Sequence, residues 1–322
     1  MRSSPLDFEK PLIELSQHVQ QLKEFAKANP ELDLAKGIKA LEDNSTALTQ
    51  QMFQKLTRWD KVWLARHENR PQAPLYIKRL FKDPIELHGD KLHGDDRALI
   101  GGLAWFEEHP VVYLAQQKGT TLNERQEMNF GYTHPEGYRK ARRLMKLAEK
   151  FEMPLICLID TPGAHFDARS EEGGQAMAIA ENIAEMATLR VPIIVVFIGE
   201  GGSGGALAIA VGDRVLMLEY AIYCVAPPEA CSGIVWKDQG EHAQEATEGY
   251  KPTAEDLLKL NIIDEIISEP PGGAHRNPDL TTRRIKTAIR KHLNELMPLN
   301  RDELVEQRYE RYRQIGIYGE EH

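Results

Sequence analysis

The longest apolar run of the chain, residues 191–198, leads directly into the glycine-rich stretch GEGGSGGALAI at 199–209. Pro192 interrupts the run, which is also far shorter than the roughly 18 apolar residues that a membrane-spanning helix needs. A short apolar run that ends in glycine indicates a strand buried on both faces. We therefore expect a strand, a glycine turn and a helix to follow one another at this point.

Short apolar runs alternate with helix-like segments from about residue 75 onward. The clearest helix-like segments are 137–151, rich in Arg, Lys, Leu and Ala, and 173–188, rich in Ala, Glu and Met. Strands that alternate with helices predict a layered α/β domain of about 200 residues. The predicted strands are 99–105, 111–116, 154–159, 192–198, 214–218 and 221–225.

Helical segments flank this core on both sides. Two apolar stripes at spacings of three and four predict two helices that form an antiparallel hairpin over residues 8–58. The hairpin either packs on the chain's own core or serves as a subunit-docking arm. The charged stretch 280–321 is predicted to be helical and mostly solvated, while its terminal residues, rich in Arg and Tyr, can pack on the core or on a partner. The predicted organisation is a helical arm at 1–70, a core domain at 71–270 and a helical extension at 271–322.

Composition excludes several classes of protein. The chain has 40 Lys and Arg against 49 Asp and Glu, a formal charge of -9. That balance argues against a nonspecific nucleic-acid-binding protein, because phosphate contacts need a basic field. The three cysteines, Cys157, Cys224 and Cys231, lack a CxxC spacing and indicate a reducing compartment. Since neither a secretory signal nor a membrane span is recognisable, we expect a cytoplasmic location without membrane attachment.

The glycine stretch matches two catalytic signatures. Gly199, Gly201 and Gly204 fit the G-x-G-x-x-G of dinucleotide-binding folds, but the helix that follows is too short to cross back over a sheet. Ser203 fits the G-x-S-x-G nucleophile elbow of serine hydrolases, with glycine on both sides. A hydrolase would also need a histidine, and the ones that follow Ser203 are His242, His275 and His322.

Two further interpretations need no side chain at the glycines. They can expose a row of backbone N–H groups that stabilises an oxyanion, or they can merely let a helix pack tightly on the sheet. A second unit favours the oxyanion site, because the strand at 154–159 continues into DTPGA at 160–164 and a helix opened by Gly173-Gly174. Both units would line the same edge of the sheet. Asp160 would orient the glycine loop or cap the strand end.

A series of motifs in the same order resembles the α subunit of bacterial-type acetyl-CoA carboxylase carboxyltransferase. The resemblance implies a crotonase-like (ClpP/crotonase) α/β fold built as a superhelix of β-β-α units, with a helical N-terminal arm and a C-terminal helical extension. It covers most of the chain, which is far more specific than any single motif. The motifs are LARH from Leu64 with Arg70-Pro71, QKG from Gln117, NFG from Asn129, PEGYRKARRLMKLAEKF from Pro135, IDTPGA from Ile159, IGEGGSGGALAIAVGDRV from Ile198, VWKD from Val235, LNIIDEII from Leu260 and PPGGAHRNP from Pro270.

The resemblance implies a reaction in which the carboxyl group of carboxybiotin, held on a separate carrier protein, moves to acetyl-CoA and gives malonyl-CoA. By position, Gly204 and Gly205 would be the catalytic amide donors to the biotin ureido oxygen. Ser203 would then be a helix N-cap or turn residue and not a nucleophile. The surface that receives the cofactor would be formed by Gly163, Ala164, His165, Gly201, Gly202 and Ser203.

The family also implies partners. The site would be shared with a carboxyltransferase β subunit in an α2β2 assembly, which works with a biotin carboxyl carrier protein and a biotin carboxylase. The chain has no biotin-acceptor Met-Lys-Met and no four-cysteine zinc ribbon, so we expect zinc in the β subunit and no metal here. The alternative functions are a serine hydrolase or peptidase that uses Ser203 and a scaffold subunit without catalysis.

The chain departs from the family pattern at two loops. After DTPGA the family usually has Tyr-Pro-Gly, and this chain has His165-Phe166-Asp167; PPEACSG at 227–233 replaces SPEGCAS. Outside the glycine loops, LHGDKLHGDD at 87–96 offers two histidines and three aspartates, either as a metal site or as turns. The basic residues of 139–146 either meet CoA phosphates or form a solvated helix face or subunit contact.

Overall fold

The computed structural model describes residues 6–316. It contains 14 α-helices, eight strands and short 3₁₀ turns within that range. The strands are β1 (Lys82–Glu86), β2 (Leu99–Phe106), β3 (His109–Gln116), β4 (Leu155–Thr161), β5 (Ile193–Gly202), β6 (Arg214–Leu218), β7 (Ile222–Cys224) and β8 (Glu265–Ile267). The helices are α1 (Lys10–Ala28), α2 (Ala35–Phe53), α3 (Arg58–Ala65), α4 (Ala73–Leu80), α5 (Leu122–Glu127), α6 (Pro135–Lys150), α7 (Ala168–Glu172), α8 (Gln175–Thr188), α9 (Ser203–Leu207), α10 (Pro228–Val235), α11 (Ala243–Tyr250), α12 (Ala254–Lys259), α13 (Pro278–Leu296) and α14 (Arg301–Arg313).

One sheet organises the core, in the order β1-β2-β3-β4-β5-β6-β8, with β7 paired to the far end of β5. The first three strands are antiparallel and the others are parallel. Every residue of β4 and β5 is buried, as the absence of polar alternation predicted. The α/β prediction and all six predicted strands are confirmed.

Two strands were missed by the sequence analysis, for different reasons. All five residues of β1 are exposed, so this edge strand carries no apolar signal, and β8 has only three residues. The end of β5 was also misplaced. The strand continues past Ile198 to Gly202, because Glu200, Gly201 and Gly202 pair with β7.

The N-terminal helices α1 and α2 form the predicted hairpin, in which Lys23 of α1 lies 2.6 Å from Glu42 of α2. Most of their side chains are exposed, and α3 connects the hairpin to the core through buried residues such as Val62 and Leu64. None of the helices in the described part of the chain is both long and apolar enough to cross a bilayer.

The C-terminal helices are more buried than the sequence indicated. Ile285, Ile289 and Leu293 of α13 belong to the main core, and Arg308 of α14 is 1% exposed. Most residues of 280–316 are nevertheless exposed or partly exposed, as predicted, and Arg308 and Tyr312 confirm the alternative that the terminal residues pack on the core. High charge concealed the apolar face of α13. The division at residues 70 and 270 stays a prediction.

Candidate active site

The glycine loops that follow β4 and β5 touch each other. The two strands are parallel neighbours, so both loops emerge at one edge of the sheet, as predicted. A Cβ on Gly202 would lie 2.0 Å from the Pro162 carbonyl oxygen, and one on Gly205 would lie 2.4 Å from the Ala164 nitrogen. No side chain fits at either glycine, because backbone occupies the space.

The glycines of 199–205 do not all have the same reason to be glycine. A Cβ on Gly199 or Gly201 would come within 2.4 Å of a neighbouring side-chain atom, so close packing requires these two as well. Gly204 differs, since its Cβ would meet nothing nearer than Ile179 at 3.6 Å, an ordinary contact. Packing within the described chain therefore gives no reason for glycine at 204.

The amides of Gly204 and Gly205 lie in the first turn of α9, directly after β5. Helix α9 begins at Ser203, and the first four N–H groups of a helix have no carbonyl partner within it. Those groups include the amides of Gly204 and Gly205. The Gly205 carbonyl accepts hydrogen bonds from Gln116 Nε2 at 2.8 Å and from the Tyr138 hydroxyl at 3.3 Å, which fixes the first turn. A fixed turn with unpaired donors can stabilise an oxyanion.

A cavity of about 600 Å³ opens beside this turn. One wall contains Gly163, Ala164 and Ser203, and α10 supplies part of the opposite wall. Phe166 is 82% exposed at the rim. A second, largely apolar cavity of about 500 Å³ shares Ser203 with the first cavity and is also lined by Gly204. Gly204 therefore adjoins accessible space.

Charged side chains form a continuous cluster at the first cavity, which Arg66, Glu200 and Glu229 help to line. Lys118 Nζ lies 2.7 Å from Asp160 Oδ1 and 2.5 Å from Glu200 Oε2. Arg66 Nε lies 2.6 Å from the other Glu200 oxygen, and Arg66 Nη1 lies 2.7 Å from Glu229 of α10. Asp160 also accepts the Glu200 backbone N–H at 2.9 Å. We call these five residues the ionic cluster.

Electrostatics keep the ionic cluster charged. Burial raises the pKa of Glu200, but Lys118 and Arg66 lower it more, and the result is about 2. Burial lowers the pKa of Lys118, but Asp160 and Glu200 raise it further, so it stays above its usual value. The expectation that Asp160 orients the glycine loop agrees with its bond to Glu200. The sequence did not identify Arg66 and Glu200 as members of the site. The only indication of their role was that each is a charged residue inside or beside an apolar motif.

His165 lies next to the first cavity but faces its own loop. Its ring stacks on His134, with 4.0 Å between ring centroids, and its Nδ1 lies 3.2 Å from Asp167 Oδ1. Burial and the neighbouring His165 lower the pKa of His134. The cavity itself is lined by the residues on either side, Ala164 and Phe166.

Ser203 is exposed and has a φ of 52°, so it occupies a tight left-handed turn. Of the two roles expected for Ser203, the turn residue agrees with this φ, whereas the N-cap does not, because Gly202 holds the N-cap position and no side chain caps α9. Within residues 6–316, no histidine hydrogen-bonds the Ser203 hydroxyl. His242 pairs with Asp238 at 2.5 Å, and His275 lies 3.6 Å from a Glu9 oxygen. His322 lies outside the described residues.

The histidine and aspartate segment at 87–96 forms turns. Asp90 Oδ1 accepts the backbone N–H groups of Leu92, His93 and Gly94, and its other oxygen accepts Arg139 at 2.8 Å. The turn interpretation is therefore confirmed.

The basic residues of α6 pair within the chain. Lys140 is 1% exposed and lies 2.5 Å from Asp95, while Arg142 lies 2.6 Å from Glu181. Lys140 and Arg142 are therefore paired with carboxylates of the same chain. The sequence had suggested the basic residues of this helix for phosphate binding or for a solvated face or subunit contact.

Solved structures share this fold at low sequence identity. The 12S transcarboxylase, in a structure with methylmalonyl-coenzyme A and methylmalonic acid bound, aligns with a TM-score of 0.54 and 20% identity over 70% of this chain and 44% of its own. A Pseudomonas malonate decarboxylase hetero-tetramer in complex with coenzyme A aligns with a TM-score of 0.55 and 17% identity over 67% of this chain and 86% of its own. The sheet and its neighbours define a crotonase-like α/β protein.

Sequence comparison gives the family. The model of the family described as acetyl co-enzyme A carboxylase carboxyltransferase-like matches residues 5–316, and the chain belongs to this family. The acetyl-coenzyme A carboxylase carboxyl transferase subunit alpha of Geobacter metallireducens is 50% identical over 315 residues, 98% of each chain. The protein of the same name from Thermus thermophilus is 48% identical over 316 residues, 98% of this chain and 99% of its own.

Proposed function

We propose that the chain is the α subunit of an acetyl-CoA carboxylase carboxyltransferase, and that its glycine amides serve the transfer of a carboxyl group from carboxybiotin to acetyl-CoA. The observation that carries the site assignment is Gly204. Close packing explains why each of the other glycines of 199–205 lacks a side chain. Packing does not explain Gly204, so we attribute its missing side chain to a ligand that must come close to the backbone. A donor amide that a ligand must reach needs this open space.

The proposed site lies where the two cavities meet at Ser203, and it would receive a flat ring with an acceptor oxygen, such as the ureido ring of biotin. In the proposed site, Gly204 and Gly205 donate their N–H groups to that oxygen. Gly204 lines the second cavity, while Gly163, Ala164 and Ser203 line the first cavity beside it. Gly201 and Gly202 hold the two loops in contact, and His165 supports the rim through the turn that carries Phe166.

The chemistry supplied by carboxybiotin is the release of its carboxyl group as the bond between nitrogen and the carboxyl carbon breaks. That carbon would become bonded to the methyl carbon of acetyl-CoA, and the proton lost from the methyl group would be balanced by the one that the ureido nitrogen gains. Negative charge grows on the ureido oxygen as the bond breaks. The N–H groups of Gly204 and Gly205 stabilise this charge, and one well-placed donor of this kind contributes about 3–4 kcal/mol.

The remaining components of the proposal come from the family. A β subunit would bind acetyl-CoA and complete the site in an α2β2 assembly, with zinc in the β subunit and none required here. A biotin carboxyl carrier protein and a biotin carboxylase would supply the carboxybiotin. A cytoplasmic location, without nucleic acid or membrane partners, belongs to the same proposal.

The test is malonyl-CoA-dependent carboxylation of free biotin, measured with this chain alone and with a β subunit. We expect activity only in the mixture. Gly204→Ala should lower kcat by about 100-fold, because a methyl group displaces the ligand from the amides. Gly249→Ala is the matched control, since it also adds a methyl group to an exposed helical glycine with nothing within 4 Å, and it should keep full activity.

The same assay separates the alternative functions. If the chain were a hydrolase, Ser203→Ala would abolish its hydrolytic activity. A carboxyltransferase should tolerate the same substitution. A scaffold subunit would bind the β subunit normally and show no difference between Gly204→Ala and Gly249→Ala. Either result would contradict the oxyanion role of Gly204.

A further inference from the structure

The segment that presents the glycine amides has almost no side chains to hold it. Residues 199–202 are Gly-Glu-Gly-Gly, so Glu200 carries the only side chain at the end of β5. Glycine is the residue with the most conformational freedom, and a run of glycines does not fix a backbone by itself. Besides strand pairing and the close packing of the glycines, Glu200 gives the only side-chain anchor within residues 199–202.

Glu200 is anchored on three sides. Lys118 holds one carboxylate oxygen at 2.5 Å, Arg66 holds the other at 2.6 Å, and the backbone N–H of Glu200 donates to Asp160 at 2.9 Å. Glu200 is 7% exposed. Charged hydrogen bonds among buried groups are stronger and more directional than those in water.

The ionic cluster also connects the two walls of the first cavity. Arg66 donates to Glu200 on the glycine side and reaches both oxygens of Glu229 on α10, at 2.7 and 3.2 Å. Lys118 follows β3, Asp160 is the next-to-last residue of β4 and Glu200 lies in β5, so three neighbouring strands meet at these charges. A shift of any member moves the segment that leads into the amides.

We infer that Glu200, held by Lys118 and Arg66, is a positioning residue for the amide donors of Gly204 and Gly205. The inference rests on the proposed function for its effect on catalysis. Glu200 lies at the cavity, but its carboxylate is occupied by the two cations and acts through the backbone. A displacement of about 1 Å at a reacting group lowers a rate by about 100-fold.

The test uses two variants that weaken the anchor and one that keeps it. Glu200→Gln preserves the shape of the side chain and removes its charge, and Lys118→Met removes the cation. Lys118→Arg retains the positive charge and can still reach both carboxylates. In the complex with a β subunit, we expect kcat to fall by 10- to 100-fold in the first two variants and to recover most of its value in Lys118→Arg. The KM for malonyl-CoA should stay within about twofold.

The matched control is a buried ion pair at the opposite end of the same strand. Asp213 lies 2.8 Å from Arg308 and accepts the Ile193 N–H at 2.7 Å. Asp213→Asn should lower Tm without changing kcat. If it lowers kcat as much as Glu200→Gln does, the ionic cluster acts only through general stability and the inference is overturned.

A second measurement does not depend on turnover. Amide hydrogen exchange over residues 199–209 should become faster in Glu200→Gln and Lys118→Met, and stay unchanged in Asp213→Asn. If the wild-type complex carboxylates no biotin, the proposed function is wrong. If amide exchange is unchanged in Glu200→Gln, the anchoring role of Glu200 is wrong, whatever the result of the activity assay. Faster exchange with an unaltered kcat in an active complex would also overturn the inference.

Discussion

At the scale of single residues, the glycines of 199–205 divide into two kinds. Gly202 and Gly205 lie against the backbone of the neighbouring loop, at distances that exclude any Cβ, so they build the site. Gly204 makes no such contact and is free to serve a ligand. The motif looks uniform in sequence, and only the surroundings of each α-carbon separate the two roles.

This division predicts opposite effects on stability. Gly205→Ala should lower the free energy of unfolding by about 1–3 kcal/mol or more, because its methyl group overlaps backbone atoms of Gly163 and Ala164. Gly204→Ala should leave it unchanged or raise it by up to about 1 kcal/mol, because alanine favours a helix. Urea unfolding of both variants provides the measurement. Equal losses in the two would contradict the distinction.

At the scale of elements, the N-terminal segment is attached to the core by a buried carboxylate. Glu9 is 1% exposed, and its two oxygens lie 3.5 Å from His67 Nε2 and 3.6 Å from His275 Nε2. The two rings stack, with 3.9 Å between centroids. Burial raises the pKa of Glu9, but the two histidines lower it more, to about 2. His67 and His275 belong to motifs that are far apart in sequence, and both lie against this residue of the N-terminal segment.

We expect Glu9→Gln to loosen the attachment of α1. Removing one partner from a buried pair costs about 1–3 kcal/mol. Because the folded pKa of Glu9 lies below its usual value of 4.5, its contribution is complete above that pH and is lost as the pH falls toward 2. The difference in unfolding free energy between wild type and Glu9→Gln should therefore shrink over this range.

Limited proteolysis at neutral pH gives an independent measure of the same contact. Cleavage within residues 10–28 should be faster in Glu9→Gln than in wild type. Glu14→Gln, an exposed position on α1, is the matched control and should behave as wild type. Equal cleavage in all three proteins would show that Glu9 does not secure the arm.

At the scale of the whole molecule, the C-terminal helix closes the core through one buried cation. Arg308 donates to Asp213 at 2.8 and 2.9 Å and to the carbonyl oxygens of Met186, Leu189 and Val191. These partners lie at the end of α8, at the approach to β5 and just before β6. Arg308 therefore connects the last helix to the far end of the strand that carries the site.

Arg308→Leu should destabilise the protein by about 3–5 kcal/mol, because it leaves Asp213 buried without a counter-charge. Thermal unfolding should show a lower Tm. Arg308→Leu with Asp213→Leu should recover part of the loss, since both charges are then removed. A double variant that is less stable than either single one would contradict this explanation.

The sequence by itself determined most of the local elements and the edge of the sheet where the glycine loops meet. Apolar runs without polar alternation identified the buried strands, and glycines after two of them identified the edge where the loops meet. The sequence could not reveal β1, which lacks an apolar pattern, or the continuation of β5 through Gly202, which depends on pairing with β7.

Tertiary structure alone decided which residues support the glycines. Arg66, Lys118, Asp160 and Glu200 come from four separate segments, and no local pattern brings them together. Their association follows from strand order, because neighbouring parallel strands end at one edge while their sequences lie far apart. Hydrophobic periodicity and composition describe a few neighbouring residues of the sequence. The energy of a buried charge depends instead on every group that folding places beside it.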